Sequence, residues 1–376
     1  MRKLRILHCL ETVGSGGVEQ TRLTLARGLD RTRYEQALVC TQAIGALPPL
    51  FDATGCVIHQ VGVFRGIYDP LPYRHTLGIV QQYRPDIIHG GVYEGVALAA
   101  VCGRLGRVPV IIGEETSDPV DRRWKGQLLF RLLSAMTHQM VAVSPAVKNY
   151  LTNTLRLPAA KVTLINNGVT QPASPDPAEL RAIRDRFNLR SDHFVIGTVG
   201  RLLDRHKRVS DLIRALPLIK KYCPNVRLLI VGSGPDEDML HRLAAELGVT
   251  DDVCFAGYQG DPTAYYEVMD VFALASAFEA FGLVLVEAMF AHLPVVATRV
   301  GGIPTVVSDG ETGILVAPLQ PETLADALIT LWRNEGLRMD MGRKGRIRAL
   351  AEFSAERYLR EIENLYQSLA KSYLVQ

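Results

Sequence analysis

The chain of 376 residues is short of several features that would assign it quickly. Its six cysteines (Cys9, Cys40, Cys56, Cys102, Cys223 and Cys254) are scattered, and none forms a CxxC pair. That excludes a thiolate zinc site of the usual spacing and gives no disulfide framework, so the thiols read as buried and reduced. There is no uninterrupted apolar run of 18 residues; the longest candidate, 281–297, contains Glu287, His292 and Pro294. A membrane-spanning helix is therefore not expected. After the basic start Met1-Arg2-Lys3-Leu4-Arg5, the apolar stretch is only Ile6 to Leu10 and is broken by His8, too short for a secretory signal. The expected location is cytoplasmic, extending to the inner face of the plasma membrane. Strong net charge is also absent: the balance is +3, which excludes a strongly basic nucleic-acid binder. That balance is uneven. Residues 1–175 carry a net +7 and the remainder a net −4. The basic part suits an anionic partner such as a membrane surface or a phosphorylated substrate.

Hydrophobic residues at 48% and charged residues at 22% are those of a globular protein, and the length suits two domains. Short β-branched runs alternate with amphipathic ones. Arg5–Leu10, Gln36–Thr41, Val57–Val61, Asp86–His89, Val108–Ile112 and Gln139–Ser144 read as strands. Between the first two, Val18, Arg22, Leu25, Ala26 and Leu29 recur at helical spacing, with Arg22 the polar exception. Several strands are wholly apolar, as parallel strands covered on both faces should be. Three prolines in 171–177 mark a linker, after which the alternation restarts with strands at 193–198, 227–231, 252–256, 270–274 and 294–298. The fold class expected is α/β: two Rossmann-like doubly wound domains, 1–172 and 173–353, with a cleft between them. A late helix in 354–376 is expected to return to the first domain.

Two glycine-rich turns follow strands: Gly14-Ser-Gly-Gly17-Val-Glu19 and Gly232-Ser-Gly234-Pro-Asp-Glu237. Such turns let backbone amides approach a phosphate at a helix N-terminus. Neither completes the dinucleotide pattern GxGxxG, because Glu19 and Glu237 stand at the third glycine position, so a nicotinamide-dependent dehydrogenase is disfavoured. Arg201 and Lys207 follow a strand and should hang at the carboxyl edge of a parallel sheet, where two fixed cations suit a diphosphate. In Phe278-Glu279-Ala-Phe281-Gly282-Leu283-Val-Leu-Val-Glu287, a glycine opens a helix whose first amides can converge on an anion. Glu287 lies in an apolar stretch and needs a hydrogen-bonding partner, for which a sugar hydroxyl is one option.

These segments together resemble a family, the retaining GT-B nucleotide-sugar glycosyltransferases of family 4 (group 1). The resemblance rests on Gly14–Glu19, Val141–Ser144, Ile165–Val169, Gly200-Arg201 with Lys207, Leu229–Gly234, Phe255–Tyr258, Glu279 with Glu287, Gly301–Pro304 and Asp309–Val316. They occur in family order over nearly the whole chain. The resemblance implies that Arg201 and Lys207 grip the donor diphosphate and that Glu279 lies at the donor sugar. Phe281, Gly282 and Leu283 would offer amides, and Glu287 would bind the ribose hydroxyls. Gly16 and Gly17 would approach the diphosphate, while Gly257 and Tyr258 would flank the nucleobase. It further implies retention of anomeric configuration, no cofactor and no metal, the substrate being a UDP- or GDP-sugar; no DxD pair stands in a suitable place. Many relatives carry a His after a first-domain strand. Here Gly113-Glu114-Glu115-Thr-Ser-Asp118 has none, and Glu115 takes its place as a candidate on the acceptor side together with Glu19, with Glu114 pointing elsewhere.

The acceptor, a glycan or lipid-linked molecule, is least legible. Asp121–Leu133, containing Trp124, and Phe64–Arg74 are apolar-basic stretches suited to a membrane surface or a lipid-diphosphate acceptor, or to ordinary packing on the chain's own sheet. The leading expectation is a sugar transferase of surface polysaccharide or glycolipid synthesis. A disaccharide synthase or phosphorylase of the same fold, and a sugar-nucleotide-binding protein with weak catalysis, remain as alternatives.

Overall fold

The structure, a computed structural model, describes residues 2–14, 16–117 and 122–374. Ser15, Asp118 and Asp121, which fall in the stretches singled out above, lie outside the described residues. The chain divides into two compact units, Met1–Thr170 with Ala355–Gln376, and Gln171–Ser354.

The first unit is built on seven strands in the spatial order Val57–Gln60, Tyr34–Cys40, Leu4–Cys9, Ile87–Gly91, Val110–Glu115, Gln139–Ala142 and Val162–Leu164. Every pairing is parallel. Period-two alternation sends Ile6, Ile87, Val110 and Ile112 into one buried cluster and Leu7, Ile88 and Ile111 into another on the opposite face. Tyr358, Ile362, Leu365 and Tyr366 of the last helix, Ala355–Leu374, complete the first of these clusters, so the tail does return to the first unit. Its start is held by Val169, whose carbonyl accepts the Ala355 amide at 3.0 Å, and by Arg357, which donates to the carbonyls of Asn166 (2.5 Å) and Asn167 (3.0 Å). The 165–169 segment is thus a seat for that helix.

The second unit has six parallel strands in the order Val253–Gly257, Val226–Val231, Phe194–Val199, Val271–Leu274, Val295–Thr298 and Gly313–Val316. Helices Val209–Lys220 and Pro321–Arg333 contribute Leu212, Leu216, Leu324 and Leu328 to its core.

Two expectations are corrected. The strand expected at 108–112 runs to Glu115, because Glu114 and Glu115 pair in register with Val141 and Ala142. A Gly-Glu-Glu sequence reads locally as a loop; here Glu114 meets the buried Arg22 and Glu115 meets the partly exposed Arg122. The stretch 64–74, expected as an exposed loop, is one only as far as Asp69, where a helix begins. Asp69 caps the helix Pro70–Tyr83, and Phe64 packs edge-on against Tyr73 with ring centres 5.3 Å apart.

Candidate functional site

In the second unit the chemistry-bearing residues gather at the carboxyl ends of the central strands. Phe194–Val199 delivers Gly200 and Arg201, and the short helix Asp204–Lys207 follows at once. That turn is braced by carboxylates. Asp204 accepts from the Ser210 amide at 2.8 Å and hydroxyl at 2.7 Å, and Asp236 accepts from the Asp204 amide at 2.7 Å. Arg208 is tied to Asp211 at 2.7 Å on its own helix, so its charge is spent there. Lys207 is directed instead to Glu279, Nζ to Oε2 at 2.5 Å. Arg201 is exposed and, with Thr198, Gly200, Lys207, Val231 and Leu274, lines a small pocket at the strand ends.

The loop carrying Glu279 is held by its backbone. The Ala277 amide donates to the His206 carbonyl at 2.8 Å, the Thr298 hydroxyl to the Ser276 carbonyl at 2.6 Å, and the Gly302 amide to the Glu279 carbonyl at 2.8 Å. Gly282 then caps the helix Leu283–Phe290 at φ +90°, a left-handed conformation in which a Cβ would also meet Leu285 at 2.8 Å. The first amides of a helix have no partner within it, so 282–284 present donors. Phe281 is buried and anchors the turn, its ring 5.6 Å from that of Phe353.

Glu287 is half-buried and accepts from the Tyr266 hydroxyl at 2.7 Å. Burial pushes its carboxyl above the ordinary value, and the Tyr266 donor works against that shift. The sequence gives no sign of Tyr266, which lies in another helix and reaches Glu287 only through the fold. Tyr258 is exposed beside Gly257, whose carbonyl accepts from the Gly232 amide at 2.8 Å. Gly232 itself is structural. A Cβ there would stand 1.9 Å from the Gly200 carbonyl oxygen, so the second glycine turn exists to let two loop backbones touch.

In the first unit, Gly16 caps the helix Gly17–Gly28, and both glycines are exposed. Glu19 turns back onto this loop and accepts from the Thr12 hydroxyl at 3.2 Å. Burial raises its carboxyl, opposed by its own amide, by Thr12 and by the Gly14 amide. Its observed work is therefore to shape the glycine loop.

Glu115 differs from the expectation of an open carboxylate. It is fully buried. Oε1 accepts the Ser117 amide at 3.1 Å and hydroxyl at 2.5 Å, and Oε2 accepts Arg122 Nη1 at 2.7 Å. The Arg122 guanidinium lies over Phe130 at 4.3 Å and Tyr93 at 5.2 Å. The side chain reaching solvent from this pair is Arg122, not Glu115. Arg122 was not foreseen as a partner because nothing in the sequence links it to a strand end seven residues earlier.

Glu114 is not an inert neighbour. It is buried against Arg22 at 2.8 Å and His89 at 3.1 Å. His89 Nδ1 faces the Tyr366 hydroxyl at 2.7 Å. A proton on Nε2, donated to Glu114, leaves Nδ1 to accept from Tyr366, which assigns the tautomer. Burial raises the Glu114 carboxyl, but Arg22 and His89 outweigh it and hold it at about 2. Burial and Arg22 push His89 down to about 4. The apparent polar exception on the first helix is thus a buried cation with a matched anion. Among the described residues, no group of three or more His, Cys, Asp or Glu side chains is placed to hold a metal ion, and no helix is long and apolar enough to cross a membrane.

The family described as Glycosyltransferase Family 4 matches residues 15–171, and the family described as Glycosyl transferases group 1 matches residues 180–348. The chain is 34% identical to N-acetyl-alpha-D-glucosaminyl L-malate synthase of Bacillus anthracis, over 44% of this chain and 43% of that protein. It is 29% identical to the capsular polysaccharide biosynthesis glycosyltransferase CapM of Staphylococcus aureus, over 62% of each. The matches span less than two thirds of the length of either relative. Among solved structures, HepE of Anabaena, in complex with UDP-glucose, superposes with a TM-score of 0.86 at 22% identity, over 97% of this chain and 100% of that one. The chain belongs to the group 1 glycosyltransferases of GT-B fold.

Proposed function

We propose that this protein transfers a sugar from a UDP- or GDP-sugar to an acceptor hydroxyl, with retention of anomeric configuration, in the synthesis of a surface polysaccharide or glycolipid. The observation that carries this reading is the Lys207–Glu279 pair beside Arg201, at strand ends where open α/β sheets bind ligands. Arg201 and Lys207 take the donor diphosphate and offset the charge that grows on it as the glycosidic bond breaks. Lys207 moves its contact from Glu279 to phosphate, and the freed Glu279 carboxylate accepts from a sugar hydroxyl. The amides at 282–284 complete the anion site. Glu287, oriented by Tyr266, holds the ribose hydroxyls, and Tyr258 flanks the base. In the first unit, the exposed Gly16 and Gly17 suit a phosphate, and the Arg122–Glu115 pair suits an acceptor. The named role of CapM in capsular polysaccharide synthesis supports the pathway class.

Calorimetric titration with UDP, GDP, UDP-glucose, UDP-N-acetylglucosamine and GDP-mannose tests the reading. Saturable binding of one donor is expected, followed by slow release of its nucleoside diphosphate as water, in place of the acceptor hydroxyl, takes the sugar. No binding at millimolar concentration overturns it, and binding without any release marks a sugar-nucleotide-binding protein instead. Release is expected to persist within about twofold in EDTA, since cations and helix amides carry the charge. Loss restored by magnesium or manganese would overturn the metal-independent account.

A further inference from the structure

The helix Trp124–Met136 is apolar on two faces. Phe130, Leu133 and Ser134 are buried against the first unit, as one amphipathic stripe requires. The opposite side should then be polar, yet Trp124 is 68%, Leu128 50% and Leu132 56% exposed. These three recur at a spacing of four residues and form one stripe along the outside of the helix. Arg104, from the end of the helix Val92–Leu105, donates to the Met136 carbonyl at 2.6 Å, which brings the 67%-exposed Leu105 beside the same end. The helix contains no acidic residue, whereas Arg123, Lys125 and Arg131 are exposed along it. The unit that bears it carries the protein's surplus of positive charge, +7 over residues 1–175.

We infer that the outward face of Trp124–Met136 docks on an anionic lipid bilayer. Leucines with an indole at one end and cations at the flanks match a headgroup boundary: the apolar stripe enters the acyl region, Trp124 sits at the interface, and Arg123, Lys125 and Arg131 meet lipid phosphates. Packing against another protein requires no such segregation of cations, and a helix that packed only on its own sheet would not expose Leu128 and Leu132. The charge on both the helix and the unit favours the lipid. This inference does not depend on the donor chemistry, and its test uses no turnover.

The test uses the full chain with Trp332→Phe, which leaves Trp124 as the sole indole reporter. With vesicles of phosphatidylcholine containing 30% phosphatidylserine at low salt, Trp124 emission should shift to the blue and the protein should float with the lipid. Pure phosphatidylcholine should give neither result, and 0.5 M salt should reverse both. Leu128→Glu with Leu132→Glu should lower flotation at least tenfold at unchanged melting temperature, because both sites are already in solvent. Arg123→Ser with Lys125→Ser, a second variant that leaves the apolar stripe intact, should lower it roughly twenty-five-fold, from about fivefold per cation near an anionic surface. Failure of the unmodified protein to float at low salt overturns the inference. So does flotation unchanged by either pair of substitutions. A concentration-dependent dimer abolished by Leu128→Glu would show that a second copy covers this face, and would overturn it too.

Discussion

The two units share a fold plan and differ in how they place the candidate carboxylates near their strand ends. In the first, charge is turned inward. Arg22, His89 and Glu114 are buried together, and Glu115 is buried against Arg122. In the second, the key carboxylates stay within reach of solvent: Glu279 meets Lys207 at the pocket edge, and Glu287 is half-buried with Tyr266 as its partner. Placement at a strand end does not by itself leave a carboxylate open to a ligand. What decides is whether the fold has already filled its hydrogen-bonding positions. Glu115 has all of its observed partners inside its own unit, whereas Glu279 holds one exchangeable ammonium.

Breaking the inward network should have the largest effect. Arg22→Met leaves Glu114 buried with only a neutral imidazole, and removing one partner of a buried ion pair costs about 3–5 kcal/mol. For a unit of this size the melting transition should fall by roughly 6–20 °C. Adding Glu114→Gln, which keeps an acceptor for His89, should recover most of that loss. Calorimetry of both variants checks this, and an unchanged melting temperature for Arg22→Met would show that the pair contributes nothing net.

Acid should separate the units next. His89 is held at about 4 against an ordinary 6.5. The unfolded chain therefore binds a proton first as pH falls, and the first unit loses stability between about 6.5 and 4, by roughly 3 kcal/mol. Glu114, held at about 2, extends the loss below its ordinary value of 4.5. Glu287 has the opposite sign. Burial raises its carboxyl, so the folded state takes the proton first and gains relative to the unfolded chain as pH falls. Hydrogen exchange of the full chain, corrected for the intrinsic rate, should show protection at 87–91 and 110–115 falling before protection at 283–290. Simultaneous loss would remove the contrast.

The same contrast explains what the sequence could convey. Strand–helix alternation and the proline-rich break carried the two parallel sheets, because buried parallel strands are apolar throughout and stand out locally. The placement of Arg201, Lys207, Glu279 and Gly282 was legible because position at a strand end or just before a helix is a local property. The partners were not. Arg22 and Glu114 lie 92 residues apart, and His89 and Tyr366 lie 277 apart. No spacing rule joins them. The strand end at 113–115 reads as a loop for the same reason: two adjacent carboxylates look exposed until their cations are known.

Next in size is the charge proposed to face the donor. Arg201→Ala or Lys207→Ala should each lower kcat/KM at least tenfold, the loss of a charge-assisted contact of about 1.5–3 kcal/mol. The melting temperature should change little for Arg201, which is exposed. Wild-type turnover in either variant would remove that residue from the site.

The smallest effect, and the one that sharpens the comparison most, concerns Glu115 and Arg122. If Glu115 itself accepted the acceptor's proton, Glu115→Gln would abolish most turnover, since general-base work contributes about 10²–10⁴-fold. The observed geometry argues for less. Glu115 has no exposed surface, and Ser117 and Arg122 occupy both of its oxygens. Glutamine keeps an acceptor for Ser117, but it removes the charge opposite Arg122 and turns an amide N–H donor toward that guanidinium. The guanidinium remains over Phe130 and Tyr93 but loses its alignment. We therefore expect Glu115→Gln and Arg122→Ala each to lower turnover about three- to tenfold, with donor binding unchanged. The double variant should be no worse than either single one, because the two side chains act as a unit and their effects should not add. Glu114→Gln cannot serve as the neutral comparison, since it disturbs the buried network; Thr116→Val, between the pair, is the better control. A loss beyond a hundredfold for Glu115→Gln alone, with Arg122→Ala mild, would restore Glu115 as the proton acceptor and place functional charge in both units.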